Sequence, residues 1–404
     1  MRGPAVFTLR ERCAPMKIFN CDRCGHPVFF ENVQCLHCGS ALAFFPDHLT
    51  LAALEPVADA SQPGLLQRVG TAGGGGSYRL CLNHALHQAC NFAVPAQDPL
   101  DLCIACRQTR LLPDLSQPGN RDRWCRIEAA KRRLLYTLLR LGLASAQHNG
   151  GAVDGPLFEF LADQPGAPAV MTGHRDGVIT LNVVEADDDE RARRRVALHE
   201  PYRTLLGHLR HESGHYYWDR LVLAAGRVQE FREIFGDESM DYMQALSAHY
   251  AANPDENQWW QGYVSAYATA HPWEDWAETW AHYLHMVDLL ETASAYQTTV
   301  VVPGPPSKVP AQDTANAEPV INPFSRSSSD FDELVRQWVP VTLLLNSLNR
   351  SLGQNDAYPF ALTEGALRKL RYVHDIIGAS AIPLEPPTAE HAQAAGEGNP
   401  PSAA

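Results

Sequence analysis

Apolar residues recur at Leu205, Leu206, Leu209, Trp218, Leu221 and Val222, and no proline interrupts the chain from Tyr202 to Arg227. That pattern predicts one long buried helix. A second helix is predicted to open at Pro272, because proline suits a first helical turn, and to run on through PWEDWAETWAHYLHM. After Pro118 a basic helix begins, RDRWCRIEAAKRRLLYTLLRLGL, with leucines at 134, 135, 138, 139 and 141 on one buried face. Two more amphipathic helices follow late in the chain, FDELVRQWVPVTLLLNSLNRSLG and LTEGALRKLRYVHDIIG. Strand signals are fewer. Val178–Val184 alternates and is β-branched, and Val28–Phe30 fits a short strand, while residues 145–169 read as glycine- and proline-bearing connections around a short Leu157–Leu161 segment. The expected class is α+β: a mainly helical domain with a small β-sheet, preceded by small metal-bound modules.

The first predicted helix carries His211, Glu212 and His215 inside its apolar run, as H-E-x-x-H. Burying such a triplet is costly without partners, and a metal is one. Residues i and i+4 share a helix face, so His211 and His215 can aim at one Zn²⁺. Glu212 sits at the edge of that face, where it can deprotonate a water that zinc acidifies to a pKa of about 7. A catalytic zinc takes three protein ligands and keeps one open position. Glu274, on the second helix, is the candidate third ligand, with Glu278 or Asp275 as alternatives. Glu278, one turn after Glu274, can instead hydrogen-bond a ligand histidine from behind.

Cysteine spacing adds two further metal sites. Cys21-Asp-Arg-Cys24-Gly25 and Cys35-Leu-His-Cys38-Gly39 are paired C-x-x-C-G knuckles, and four thiolates at that spacing make a closed structural zinc ribbon. Cys81, Cys90, Cys103 and Cys106 form a second four-cysteine set, although His84 or His87 could replace Cys90. Cys13 and Cys125 remain as free thiols.

The 404 residues suggest several domains. The expected layout is an unstructured extension at 1–15, with Met16 as a possible native start, then a zinc ribbon at 16–50 and a linker at 51–77. The second module follows at 78–118, then a catalytic domain at 119–300 and a linker or lid at 301–329. Helices at 330–382 complete the catalytic domain, and the tail at 383–404 is disordered. A net charge of −13 argues against general nucleic-acid binding. No apolar run is long enough to cross a membrane. With no signal peptide visible and cysteines spaced for metal, the expected compartment is the cytoplasm.

H-E-x-x-H followed about sixty residues later by E-x-x-A-E resembles the gluzincin side of the zincin metallopeptidases. The resemblance implies His211, His215 and Glu274 as ligands of a catalytic zinc, Glu212 as general base and Glu278 behind a histidine. In lethal-factor-like members a tyrosine seven residues before the third ligand stabilises the oxyanion, which implies Tyr267. Tyr263, Tyr202 and Tyr217 remain alternatives. In zincins a strand ahead of the H-E-x-x-H helix forms a sheet edge that pairs with extended substrate. Residues 178–184 stand there, which implies that Thr180, Leu181 and Asn182 bind substrate. CDRCG, CLHCG, CIACR, GVITLNVVEADD, LLGHLRHESGHYYWDRL and HPWEDWAETWAHYLH, in that order, resemble a bacterial family of zinc-binding metallopeptidases with an N-terminal zinc ribbon. The implied activity is peptide or amide hydrolysis of a peptide or protein substrate. The alternative is a non-catalytic zinc-ribbon protein that contacts nucleic acid or protein through the basic helix near residues 121–140.

Overall fold

A computed structural model describes residues 18–57, 64–70, 76–145, 155–197, 204–251, 258–302, 318–325, 330–360 and 362–380. The 1–15 extension, Met16, Cys13, Tyr202 and the 383–404 tail fall outside these residues.

The N-terminal part begins with a short antiparallel pair, β1 (Phe19–Asn20) and β2 (Pro27–Val28). Next come β3 (Leu42–Phe45), β4 (Thr50–Pro56), β5 (Leu66–Arg68), β6 (Tyr78–Leu80), helix α1 (Leu82–His87) and β7 (Ala93–Pro95). Strands β3 to β7 make one antiparallel sheet in sequence order. This corrects the linker expected at 51–77. Leu51, Ala52, Ala53 and Leu54 are all buried in β4, so the sheet runs from the first cysteine module into the second. A cluster of Phe30, Phe44, Phe92 and Tyr136 rings fixes both modules to the following helix.

That region continues with α2 (Ile104–Arg107), β8 (Thr109–Leu111) and α3 (Asn120–Arg140), then β9 (Leu157–Leu161), β10 (Gly173–Arg175) and β11 (Val178–Asn182). Most of the basic side chains of α3 have partners within the protein, although Arg121 and Arg126 are exposed. Lys131 is fully buried against Glu128 at 2.9 Å, and Arg132 donates to the Ala89 carbonyl. Arg123 pairs with Asp187, Arg133 with Glu31 and Arg140 with Glu291. Of the basic surface expected near 121–140, Lys131 and Arg132 are therefore taken up inside the protein.

Strands β8 to β11 form a four-stranded sheet in the order β10-β11-β9-β8. Here the substrate-strand expectation is overturned. β11, which carries Thr180, Leu181 and Asn182, pairs antiparallel with β10 and parallel with β9. Both its hydrogen-bonding edges are taken, so an extended ligand has no free edge to join. The outer strands are β8 and β10, the latter in the stretch 172–177 that the sequence suggests is only a turn.

The helical part comprises α4 (Asp188–Ala197), α5 (Leu205–Trp218), α6 (Val228–Phe235), α7 (Tyr242–Ala251), α8 (Pro272–Ala295), α9 (Phe331–Ser351) and α10 (Glu364–Ser380). The architecture is α+β, with a zinc-ribbon region ahead of a largely helical domain with small sheets. Thr204 caps α5 by accepting from the Gly207 amide at 2.9 Å. The long helix expected to Arg227 loses regular α geometry at Asp219, where a π-helical turn spans Asp219–Leu223. Of the expected 301–329 lid, the described residues include one anchored point, where Val320 is buried with its amide donating to the Thr298 carbonyl and Phe324 lies under Arg140, while Val301, Val302 and Ile321 are exposed.

Helices α5 and α8 lie face to face, and Gly214 sets their distance. A Cβ built there would lie 2.9 Å from the Ala277 Cα and 3.2 Å from the Trp280 ring. Trp276 Nε1 donates to the Gly214 carbonyl at 2.8 Å, and Trp280 Nε1 donates to Ser213 Oγ at 3.1 Å. Gly214→Ala is therefore expected to push α8 outward and to destabilise the domain by about 1–3 kcal/mol through overpacking, despite alanine's better helix propensity. Thermal denaturation reads this; an unchanged or raised midpoint would contradict the packing assigned to Gly214.

Candidate active site

The contact between α5 and α8 brings His211, His215 and Glu274 together, with one ligand atom from each within 4.8 Å of the others. All three are buried. His211 Nε2 lies 3.0 Å from Glu274 Oε2, and His215 Nε2 lies 3.5 Å from Glu274 Oε1. Glu274 Oε2 nevertheless has no aligned hydrogen-bond donor. Two imidazole nitrogens and a carboxylate converging without hydrogen bonds among themselves form a donor set that fits zinc.

The surroundings orient each group. Glu278 Oε1 lies 2.7 Å from His211 Nδ1, which directs Nε2 of that ring inward. Ser265 Oγ donates to the other Glu278 oxygen at 2.5 Å. Burial pushes the Glu278 carboxyl up, but His211 outweighs it and brings the value down to about 2. Trp273 lies over His215, with ring centroids 3.8 Å apart. Asp275, the other alternative to Glu274, turns away to Lys369 at 2.6 Å.

Glu212 is buried on α5 beside this trio. Its Oε1 lies 3.2 Å from His208 Nε2, while its Oε2 has no hydrogen-bond partner. Burial raises its proton affinity, but His208, His211 and His215 outweigh burial and hold the carboxyl below its ordinary range. His208 in turn holds Glu185, with Nδ1 2.6 Å from Oε2.

These groups line a cavity of about 770 Å³. Tyr267 is on its wall, with its ring centroid 5.9 Å from that of His211. Of the other tyrosines, Tyr263 lies under Lys369 Nζ at 3.6 Å, and Tyr217 donates to the Leu143 carbonyl at 3.1 Å; neither lines the cavity. Thr180 and Leu181 do not line it either, whereas Asn182 does, with its amide donating to Asp163. His174 of β10 also lines it, with its ring 6.3 Å from His215. Burial and then the charge of His215 push His174 down to about 4, so it is neutral.

Three lining or supporting residues are absent from the sequence reading. Tyr242 donates to Glu274 Oε1 at 2.8 Å from a distant helix, and no local spacing signals it. Glu185 is hidden in the acidic run EADDDERARRR, which reads as surface although Glu185 is 1% exposed. His208 did leave a signal, because it stands one helical turn before Glu212.

Away from the cavity, the two cysteine quartets are assembled. Cys21, Cys24, Cys35 and Cys38 form one cluster and Cys81, Cys90, Cys103 and Cys106 the other. Sulfur separations of 3.6 Å (Cys21–Cys38), 3.7 Å (Cys24–Cys35) and 3.6 Å (Cys90–Cys103) are too long for disulfides. They match the edge of about 3.8 Å of a tetrahedron with Zn–S bonds of about 2.3 Å. Gly25 and Gly39 take φ of 73° and 75°, the left-handed turn that the knuckles require. His84 points its Nδ1 at the Cys90 carbonyl and His87 packs on Trp124, so neither joins the second cluster.

The sequence profile of a family described as "Putative zinc-binding metallo-peptidase" matches residues 120–376, and a zinc-ribbon profile matches residues 18–117. The chain belongs to this metallopeptidase family. Uncharacterised proteins from Mycobacterium bovis and from two strains of Mycobacterium tuberculosis are 38% identical to it over 372 residues, covering 92% of this chain and 98% of each relative. No solved structure gives a significant match. Zinc binding follows from the family and from the two four-cysteine clusters. Among the described residues, no helix is long and apolar enough to cross a membrane.

The site in this family member makes a pH prediction. Burial lowers the His208 value, but Glu185 and then Glu212 outweigh it and raise it from 6.5 to about 9. Because the folded-state value is raised, the stabilisation is complete below about pH 6.5 and is lost as pH climbs through about 9. His208→Gln should thus be markedly less stable than the native chain in urea at pH 6, with the gap closing near pH 10. A gap independent of pH would contradict a charged His208.

Proposed function

We propose that this chain is a zinc-dependent peptidase in which Glu212 is the general base. The observation that carries the reading is the unpartnered Glu212 Oε2, buried in the cavity beside His211, His215 and Glu274. Those three would hold the ion, and Glu278 would fix the His211 tautomer. Bound there, Zn²⁺ would acidify a water and polarise the scissile carbonyl.

Glu212 then takes the proton of the attacking water and returns it to the leaving amine as the C–N bond breaks. An ionised Glu212 suits that work, and the depression of its proton affinity by the neighbouring histidines keeps it ionised at neutral pH. Tyr267 is the oxyanion donor in this reading. Burial, and after it the Glu274 charge, raises its phenol well above the ordinary range, so it keeps its proton to donate. Tyr242 is protonated for the same two reasons, but its hydroxyl is committed to Glu274. It supports the third ligand as Glu278 supports His211. Substrate lies in the cavity between β10 on one side and α7 on the other, and β10 offers an outer strand of the sheet.

Glu212→Gln should lower hydrolysis of fluorescein-labelled casein by about 10²–10⁴-fold with zinc content unchanged. Tyr267→Phe should lower it by about 10²–10³-fold. Full activity in Glu212→Gln would overturn the assignment of the base.

A further inference from the structure

We infer that Glu185 and His208 act as a relay that positions Glu212, with His208 as the positioning residue of the base. The inference rests on the peptidase reading above and adds residues that the reaction itself does not require.

Glu185 lies in the short 3-10 turn Val183–Ala186 that follows β11, and both of its oxygens are engaged. Thr172 Oγ1 donates to Oε1 at 2.8 Å, and His208 Nδ1 lies 2.6 Å from Oε2. The second His208 nitrogen lies 3.2 Å from Glu212 Oε1. A carboxylate thus stands at each end of one imidazole. Carboxylates only accept, so His208 Nδ1 donates to Glu185, while Nε2 faces Glu212 Oε1 as an ion pair, and a carboxylate on each side favours the imidazolium. The line runs from the end of the β-sheet through His208 along the cavity wall, with Glu185 1%, Glu212 5% and the His208 side chain 13% exposed.

This line decides which Glu212 oxygen works. The carboxylate turns easily about its last bond, and its two oxygens are otherwise equivalent. His208 pairs with Oε1, and Oε2 of this cavity-lining residue is left without a partner. Without that grip, Glu212 could swing toward the His211 and His215 rings one helical step away. The anchoring matters because a misplaced catalytic group loses rate steeply. His208 is also on the same helix as both histidines, one turn before Glu212, so a rigid α5 keeps donor and base in register.

The test uses the full chain, loaded with zinc, as His208→Phe, His208→Gln and Glu185→Gln. Zinc content, the affinity for acetohydroxamate by calorimetry, and kcat and KM on a quenched fluorescent peptide selected from a library are measured for each. A hydroxamate shares its proton with the base, so its affinity reports the placement of Glu212 without turnover. The relay requires His208→Phe to keep its zinc, to lose about 10- to 100-fold in kcat with little change in KM, and to bind acetohydroxamate correspondingly more weakly. His208→Gln, whose amide can still donate to Glu212, should recover most of the loss, and Glu185→Gln should fall between. Native kcat and native hydroxamate affinity in His208→Phe would overturn the relay, as would a His208→Gln protein as impaired as His208→Phe. The two readings fail separately. A native protein that cleaves no peptide but binds acetohydroxamate in a His208-dependent way removes the peptidase and leaves the relay. An active His208→Phe protein removes the relay and leaves the peptidase.

Discussion

The close contact of α5 on α8 across Gly214 is the constraint on which the rest depends. A glycine where any side chain would strike the Ala277 backbone lets two helices approach with their polar faces inward. The indole hydrogen bonds of Trp276 and Trp280 lock that approach to the α5 backbone and to Ser213. Once the helices are locked, Glu274 must face His211 and His215, and Glu278, one turn on, must face the back of His211. The geometry of the site is thus a consequence of helix packing and needs no loop to assemble it.

Such a packing concentrates charge in a place from which water is largely excluded. Glu185, Glu212 and Glu274 are nearly fully buried, and leaving buried carboxylates without partners costs several kcal/mol each. The structure answers by giving each carboxylate a basic partner: His208 between Glu185 and Glu212, and His211 between Glu278 and Glu274. Behind the site, Arg210 is paired with Asp288 between α5 and α8, and Thr137 of α3 donates to the same carboxylate. A divalent cation in the cavity would complete this balance, because two histidines and a carboxylate there converge without hydrogen bonds between them. The N-terminal modules are joined to the same core through Tyr136 and the rings of Phe30, Phe44 and Phe92, so they brace α3 against the helical domain.

What the sequence made legible was local. H-E-x-x-H, the C-x-x-C-G knuckles and Pro272 ahead of Glu274 each act within a turn or two of helix or loop, where spacing translates directly into geometry. What it left obscure depends on pairing across the chain. Val178–Asn182 reads as a strand, but its place inside the sheet depends on β9 and β10, which no property of that segment encodes. Leu51–Leu54 is a continuous apolar run that suits a buried strand, whereas the glycines and prolines after it suit a linker. Glu185 looks solvated because its neighbours are charged, and only the tertiary fold turns it inward to His208. Tyr242 reaches Glu274 from a separate helix, beyond any motif.

The measurement that bears most directly on the account is zinc per chain by elemental analysis, for the native protein and for His215→Ala. The two cysteine quartets serve as an internal count, since the substitution leaves them untouched. The account requires three zinc ions in the native chain, one for each cluster of ligand atoms, and two in the variant. Two zinc ions in both would mean that α5 and α8 hold no metal between them, and the catalytic reading would fall with the third site.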